Sequence, residues 1–266
     1  MKQRIIALLL IAILGGIFLS VSYVNPYSDE ISLASLILQL SGSRDSLVLG
    51  TAPQELLSVA MRWIPSCLFE AYAGIMLYQH FCIASVYIFS RCSKRGMWYL
   101  KQTIILLLKA MVFQLILLLT VWIVSKVRTT VYVDMGGINM MLYHFIIQSL
   151  WTYFCTLLIN LLALYMGSNM SFIIVMGIQC LGIVGLGVHR YSQEFLKYNP
   201  LSCLILGWHY SIVENVDKYL NAPFDFLCIE TSISILIGMC VMLVMMGAIV
   251  IKKYDILISN VEIGVI

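Results

Sequence analysis

Six apolar stretches, each close to twenty residues long, recur along this chain: Ile5 to Ser22, Cys67 to Ser90, Thr103 to Ser125, Tyr143 to Met166, Ser171 to Val188 and Cys228 to Ile251. A helix of that length spans the hydrocarbon layer of a bilayer. Inside lipid every backbone N–H and C=O must find its partner within the protein, and for separate stretches of this kind helices are the economical solution. With 11% charged residues against 61% apolar ones, the rest of the sequence offers too little polar surface to solvate a globule. The expectation is an all-α polytopic membrane protein: one transmembrane domain over residues 1–266, six transmembrane helices with interfacial outer helices.

Lys and Arg set the orientation, because they are held back on the cytoplasmic side. With both termini inside, Lys2, Arg4, Arg91, Lys94, Arg95, Lys101, Lys252 and Lys253 share only about 35 residues of flank and loop. Arg44, Arg62, Lys126, Arg128, Arg190, Lys197 and Lys218 are spread over roughly 100 outside residues, and Lys109 lies within the third span. Nine acidic residues, among them Asp29, Glu55, Glu194 and Asp225, fall outside, and only Asp255 and Glu262 fall inside. The first span has a second reading as a secretory signal, since Lys2 and Arg4 precede an apolar run that ends in Ser20-Val21-Ser22. Either way the carboxyl terminus is cytoplasmic.

The outer segments, 23–66 and 189–227, carry helix signals of their own. Ser28 reads as an N-cap, Asp29 and Glu30 as a first turn, and Gly42 as a stop. A second helix is expected from about Thr51, with Pro53 in its first turn, ending where Pro65 opens the next span. Asn199-Pro200 marks a turn before Leu201, Leu204, Ile205, Leu206 and Trp208, a run too short to cross, which suggests a re-entrant or interfacial hairpin. Cys203 and Cys228 both fall near this outer face, where a bridge between them is conceivable.

Catalytic patterns are lacking. His80, His144, His189 and His209 are scattered, with no second metal ligand at helical spacing. There is no Gly-x-Ser-x-Gly turn and no Gly-x-x-x-x-Gly-Lys-Ser/Thr phosphate loop, so the chain reads as non-catalytic and without a metal or cofactor of its own. Nor does it present the basic patch interleaved with aromatics that a nucleic-acid partner needs.

Polar groups inside the spans are more informative, since each costs free energy in lipid and turns to a protein interior or an aqueous path. His144, Gln148, Thr152, Thr156 and Asn160 follow one another at intervals of four and so share a helical face. Ser66, Glu70 and Gly74 repeat that spacing in the second span, and Glu230, Ser234 and Gly238 in the sixth. Glu70, His144, Gln148, Thr152, Asn160 and Glu230 are the candidates for a translocation path, or for an interhelical polar stripe that touches no substrate. Gly177, Gly182, Gly185 and Gly187 make the fifth span small-faced, Gln179 among them. Lys109 reads as a cation reaching for the interface.

The order of these elements resembles the membrane subunit of a type-2 ABC exporter. An outer helical region follows span one, a minimal cytoplasmic turn lies at Gly167 to Met170, and an outer hairpin separates spans five and six. Ser90-Arg91-Cys92-Ser93-Lys94-Arg95-Gly96-Met97-Trp98-Tyr99-Leu100-Lys101 is similar to the coupling-helix region of small Firmicute-type permeases. The Asn199-Pro200-Leu201-Ser202 turn and the closing Ile251 to Leu257 are similar to the same family. The resemblance implies a permease in the cytoplasmic membrane that pairs with a second permease chain and with ABC ATPase subunits, which bind the ATP and magnesium. It places the ATPase contact on Arg91, Lys94, Arg95, Trp98 and Lys101 within residues 91–102. It implies export of an amphipathic or lipid-soluble substrate, since relatives of this size serve in antimicrobial-peptide export and immunity. The alternative is a membrane sensor or accessory subunit that transports nothing.

Overall fold

A computed structural model describes residues 2–24, 30–42, 53–80, 95–186, 193–220 and 226–253. Almost all of it is helix. The elements are α1 (Lys2–Tyr23), β1 (Glu30–Ser32), α2 (Leu33–Ser41), α3 (Pro53–Ala73), α4 (Arg95–Arg128), β2 (Thr130–Tyr132), α5 (Met135–Met166), α6 (Ser168–Leu186), α7 (Gln193–Tyr198), α8 (Glu214–Asp217) and α9 (Ile229–Lys253). Two 3-10 turns, Pro200–Leu204 and Leu206–Trp208, lie between α7 and α8. Among the described residues five helices, α1, α4, α5, α6 and α9, are long and apolar enough to cross a membrane. The chain is an all-α, multi-pass membrane protein.

Side-chain pairings give the helix directions. α1 runs parallel to α4, with Gly16 against Leu117 and Thr120, and Ser20 Oγ 3.0 Å from Ser125 Oγ. Arg128 Nη1 closes that end by donating to Ser20 O at 2.9 Å. α3 runs the other way beside α1, since Tyr23 Oη donates to Ser58 O at 2.8 Å while Gly15 meets Pro65 further along. α5 follows α4 back, and α6 reverses again after Gly167, whose φ of 79° needs no side chain. α9 is parallel to α5, because Tyr143 bonds Glu230, Leu150 O meets Cys240 Sγ, and Gly247 faces Leu161.

These directions gather the start of α1, the start of α4, the α5–α6 turn and the end of α9 at one end of the bundle. Gly96 lies against Lys252 there, so Arg95, Lys101 and Lys252 share this basic end, as their charge pattern leads one to expect. Arg91 and Lys94 lie outside the described residues.

Three expectations need correction. Ser28 and Asp29 fall outside the described residues, and Glu30 belongs to a strand rather than a first helical turn. β1 pairs in parallel with β2 in the register Glu30 with Thr130 and Ser32 with Tyr132. The N-cap of α2 is Ser32, whose Oγ accepts from Ser35 N at 3.1 Å, while Gly42 ends the helix as expected. Second, Pro65 opens no new helix: α3 passes through it, its ring seated against Gly15, where any side chain would collide. The helix breaks at Gly74–Ile75 and resumes over residues 76–80. The remainder of the expected second span, residues 81–90, lies outside the described residues. Third, Arg95 to Lys101 form no separate coupling helix but the first turns of α4 itself.

The described parts of segments 23–66 and 189–227 are also more deeply set than surface helices. Leu33, Ala34, Leu36, Ile37 and Leu40 of α2 are all buried. So are Leu201, Leu204, Ile205, Leu206 and Trp208 of the 3-10 turns. Asn199 anchors those turns to the bundle, its Nδ2 donating to Gly182 O at 2.8 Å and its Oδ1 capping Leu201 N. Cys203 and Cys228 are both buried and free.

Candidate functional site

The stripe on α5 is a buried seam along its whole length: His144, Gln148, Thr152, Thr156 and Asn160 are each at most 7% exposed. Its partners come from α3 and α4. Gln114 Nε2 donates to both Thr152 Oγ1 (2.9 Å) and Ser66 Oγ (3.2 Å), tying three helices together. Two turns further on, Asn160 bridges the break in α3. Its Oδ1 accepts from Tyr78 N at 3.0 Å, and its Nδ2 donates to Thr156 O at 2.8 Å and reaches Ala73 O at 3.5 Å. One amide therefore serves backbone groups on both sides of Gly74–Ile75.

Glu70, fully buried on α3, belongs to a second junction. Gln179 Nε2 of α6 donates to its Oε2 at 2.6 Å, whereas Oε1 has no partner. Ser66 and Glu70 are thus on one side of α3 but serve different neighbours, because the fourth residue along a helix has turned about 40° further.

Glu230 joins neither group. It lies in the first turn of α9, where a carboxylate suits the helix dipole. Its Oε1 accepts from Ser211 Oγ (2.8 Å) and Tyr143 Oη (3.2 Å), and its Oε2 from Cys228 Sγ (2.9 Å). Ser234 and Gly238, at the same spacing, face outward, and a side chain at Gly238 would meet open space. Gly177 of α6 is equally open, while Gly182 is packed under Leu201. The six candidates therefore divide between the α5 seam, the Glu70–Gln179 pair and the Glu230 cluster.

Several members of these groups escape a reading by periodicity. Gln114 is the amide of an otherwise apolar run, and the cost of an amide in lipid is the signal that singles it out. Arg62 reads from sequence as a loose outer flank, yet its side chain turns into the bundle, over the Tyr23 ring at 4.7 Å. His209 is buried between Ile205 O at Nδ1 and Ser232 Oγ at Nε2, both 2.9 Å away. Burial pushes its pKa down to about 4, against the opposing pull of Ile205 O and the Glu230 charge. The folded protein thus holds His209 neutral where an unfolded chain, with the ordinary value near 6.5, takes up a proton. Stability is undiminished above pH 6.5 and falls by up to about 3 kcal/mol as pH drops toward 4. Melting temperatures of wild type and His209→Gln should diverge in slope over that range; parallel curves would contradict the assignment.

At the basic end, Met97 and Leu100 are exposed and Tyr99 is fully buried against Gly247. Trp98 is half-buried and packs on the chain's own core, so only part of its ring is open to a partner. Beside these turns, α1, residues 76–80 and α4 enclose a groove of about 820 Å³. Its walls are apolar, from Leu8, Leu9, Val112 and Phe113, with Gln102, Lys109 and His80 as polar members. Lys109 Nζ lies 3.9 Å from Met76 Sδ. Among the described residues no three His, Cys, Asp or Glu side chains are placed to hold a metal ion. No protein-family model, curated protein or solved structure matches this chain.

Proposed function

We propose that this chain is the permease subunit of an ABC transporter of the cytoplasmic membrane, moving an amphipathic or lipid-soluble molecule with ATP hydrolysed by separate subunits. The observation that carries the reading is the basic end of the bundle. There the first turns of α4 present Arg95, Met97, Leu100 and Lys101 beside Lys252, a charged and apolar surface of the kind a cytoplasmic partner can grip. α4 has 34 residues, about 51 Å at the helical rise, against a hydrocarbon layer of about 30 Å. A push on its basic end would be carried through the membrane by one continuous rod. The groove with Lys109 on an apolar wall suits an amphipathic substrate, and antimicrobial peptides are one such class. A second permease chain would complete the assembly, with the open small-residue positions Gly177 and Gly238 on the outward faces of α6 and α9.

The alternative, a sensor or accessory subunit, draws support from the seam itself. Its described hydrogen bonds join helices of this one chain and are consistent with a structural role. Affinity purification from the native membrane separates the two readings. A permease should bring down an ATP-binding subunit, and Met97→Ser combined with Lys101→Glu should weaken that association at least tenfold while leaving abundance unchanged. Because Trp98 also supports its own fold, its truncation is the less clean test. Recovery of the chain without any ATP-binding partner would reject the permease assignment.

A further inference from the structure

Arg62 carries a charge into the bundle, and among the described residues no carboxylate pairs with it. Its Nε and Nη1 are buried without an acceptor, and a guanidinium does not shed its proton in proteins. The Tyr23 ring offers only the weak attraction of a π face. A part-buried cation with two enclosed N–H groups unpaired is unfavourable, so a counter-charge beside it would stabilise the fold. None of the described residues lining the small cavity at Arg62 is a carboxylate. Its polar members are instead Ser66, Gln114, His144 and Gln148, drawn from three helices. Gln114 has committed its amide to Ser66 and Thr152, which leaves the Ser66 hydroxyl proton to point elsewhere. His144 is buried with Nδ1 unpaired, ready to donate when that nitrogen carries the ring proton.

The cavity measures about 20 Å³, room for one small particle of about the size of a water molecule. A water molecule would meet the donors but not the charge. We propose that this cavity binds one monatomic anion of the chloride class, with Arg62 as its charge partner and Ser66, Gln148 and His144 as hydrogen-bond donors. The site would lock α3, α4 and α5 together at the end opposite the basic face, whether or not the chain serves transport.

The test uses the full chain purified in detergent and unfolded by heat at matched ionic strength in sodium chloride, bromide, gluconate or sulfate. Chloride and bromide should raise the melting temperature along a saturable curve, by about 5 °C at a hundredfold excess over the dissociation constant. Gluconate should not, sulfate should act only without saturation, as an excluded salt does, and Arg62→Gln should abolish the difference between chloride and gluconate. Should that variant fail to fold, ³⁵Cl line broadening by the wild-type protein, relieved by bromide but not by gluconate, reads the site directly. Equal melting temperatures in chloride and gluconate, together with no line broadening, would mean that the cavity holds only water and would overturn the proposal.

Discussion

Replacing Asn160 with leucine is expected to lower stability by about 0.6–3 kcal/mol and to release the Tyr78 amide to hydrogen exchange. Leucine keeps asparagine's branching, with two bulkier methyl groups in place of the amide atoms, so the site is left filled rather than hollow. What disappears is the pairing of Tyr78 N–H and Ala73 C=O on either side of the Gly74–Ile75 break. An orphaned buried backbone group costs about 1–3 kcal/mol, though interhelical bonds in membrane proteins average nearer 0.6 kcal/mol, which sets the lower bound. The Ala73 contact, at 3.5 Å, contributes the smaller share. Asn160→Asp keeps an acceptor for Tyr78 and should do less to that amide's protection. A leucine variant with wild-type protection at Tyr78 would show that the break is not held from α5.

Gly16→Leu should have the larger effect, a loss of about 3 kcal/mol or more, with Gly16→Ala falling between it and wild type. A Cβ at this position would come within 2.7 Å of Thr120 Cβ and 2.8 Å of Leu117 O. The carbonyl is fixed by α4, so α1 itself has to move away. That separation would strain the Ser20–Ser125 contact and the Arg128 bond to Ser20 O, both of which need the two backbones close. Gly177→Ala is the matched control: nothing lies within 4 Å of its Cβ position, and its effect should stay within about 0.5 kcal/mol. Ser125→Cys, fully buried in wild type, supplies a second readout, since its thiol should become labelled only when α1 is displaced. Equal losses at Gly16 and Gly177 would point to helix propensity rather than packing.

Much of this architecture was legible in the chain because the bilayer imposes a one-dimensional rule. The apolar runs place α1, α4, α5, α6 and α9, and the intervals of four along α5 correctly mark a single buried face. The Gly42 stop follows from glycine's freedom at positive φ; Gly167 shares that φ, but the turn expected over Gly167 to Met170 shrinks to Gly167 alone, since Ser168 to Met170 already belong to α6. Pro65 was misleading for a physical reason. A proline removes one intrahelical bond, which usually ends a helix, but neighbouring helices can hold the kinked segment, and here Gly15 makes room for its ring.

Periodicity says which face of a helix is polar, and nothing about what that face meets. Glu70 and Glu230 look alike in sequence, each an acid near a span boundary. Packing encloses one against Gln179 and sets the other in a cluster of hydroxyls at the mouth of α9. Arg62 carries no local signal that separates it from an exposed flank residue; only the crossing of α3, α4 and α5 gives its surroundings the polar lining of a cavity. The strand pairing of residues 30–32 with 130–132 likewise links segments a hundred positions apart, each too short to declare itself. Local hydrophobicity and turn chemistry, which act over a few residues, decided from the sequence alone that this chain forms membrane-crossing helices and where they bend back. Which polar groups are paired, which are left wanting a partner, and which helices lie side by side depend on contacts between distant residues, and only the tertiary structure decided them.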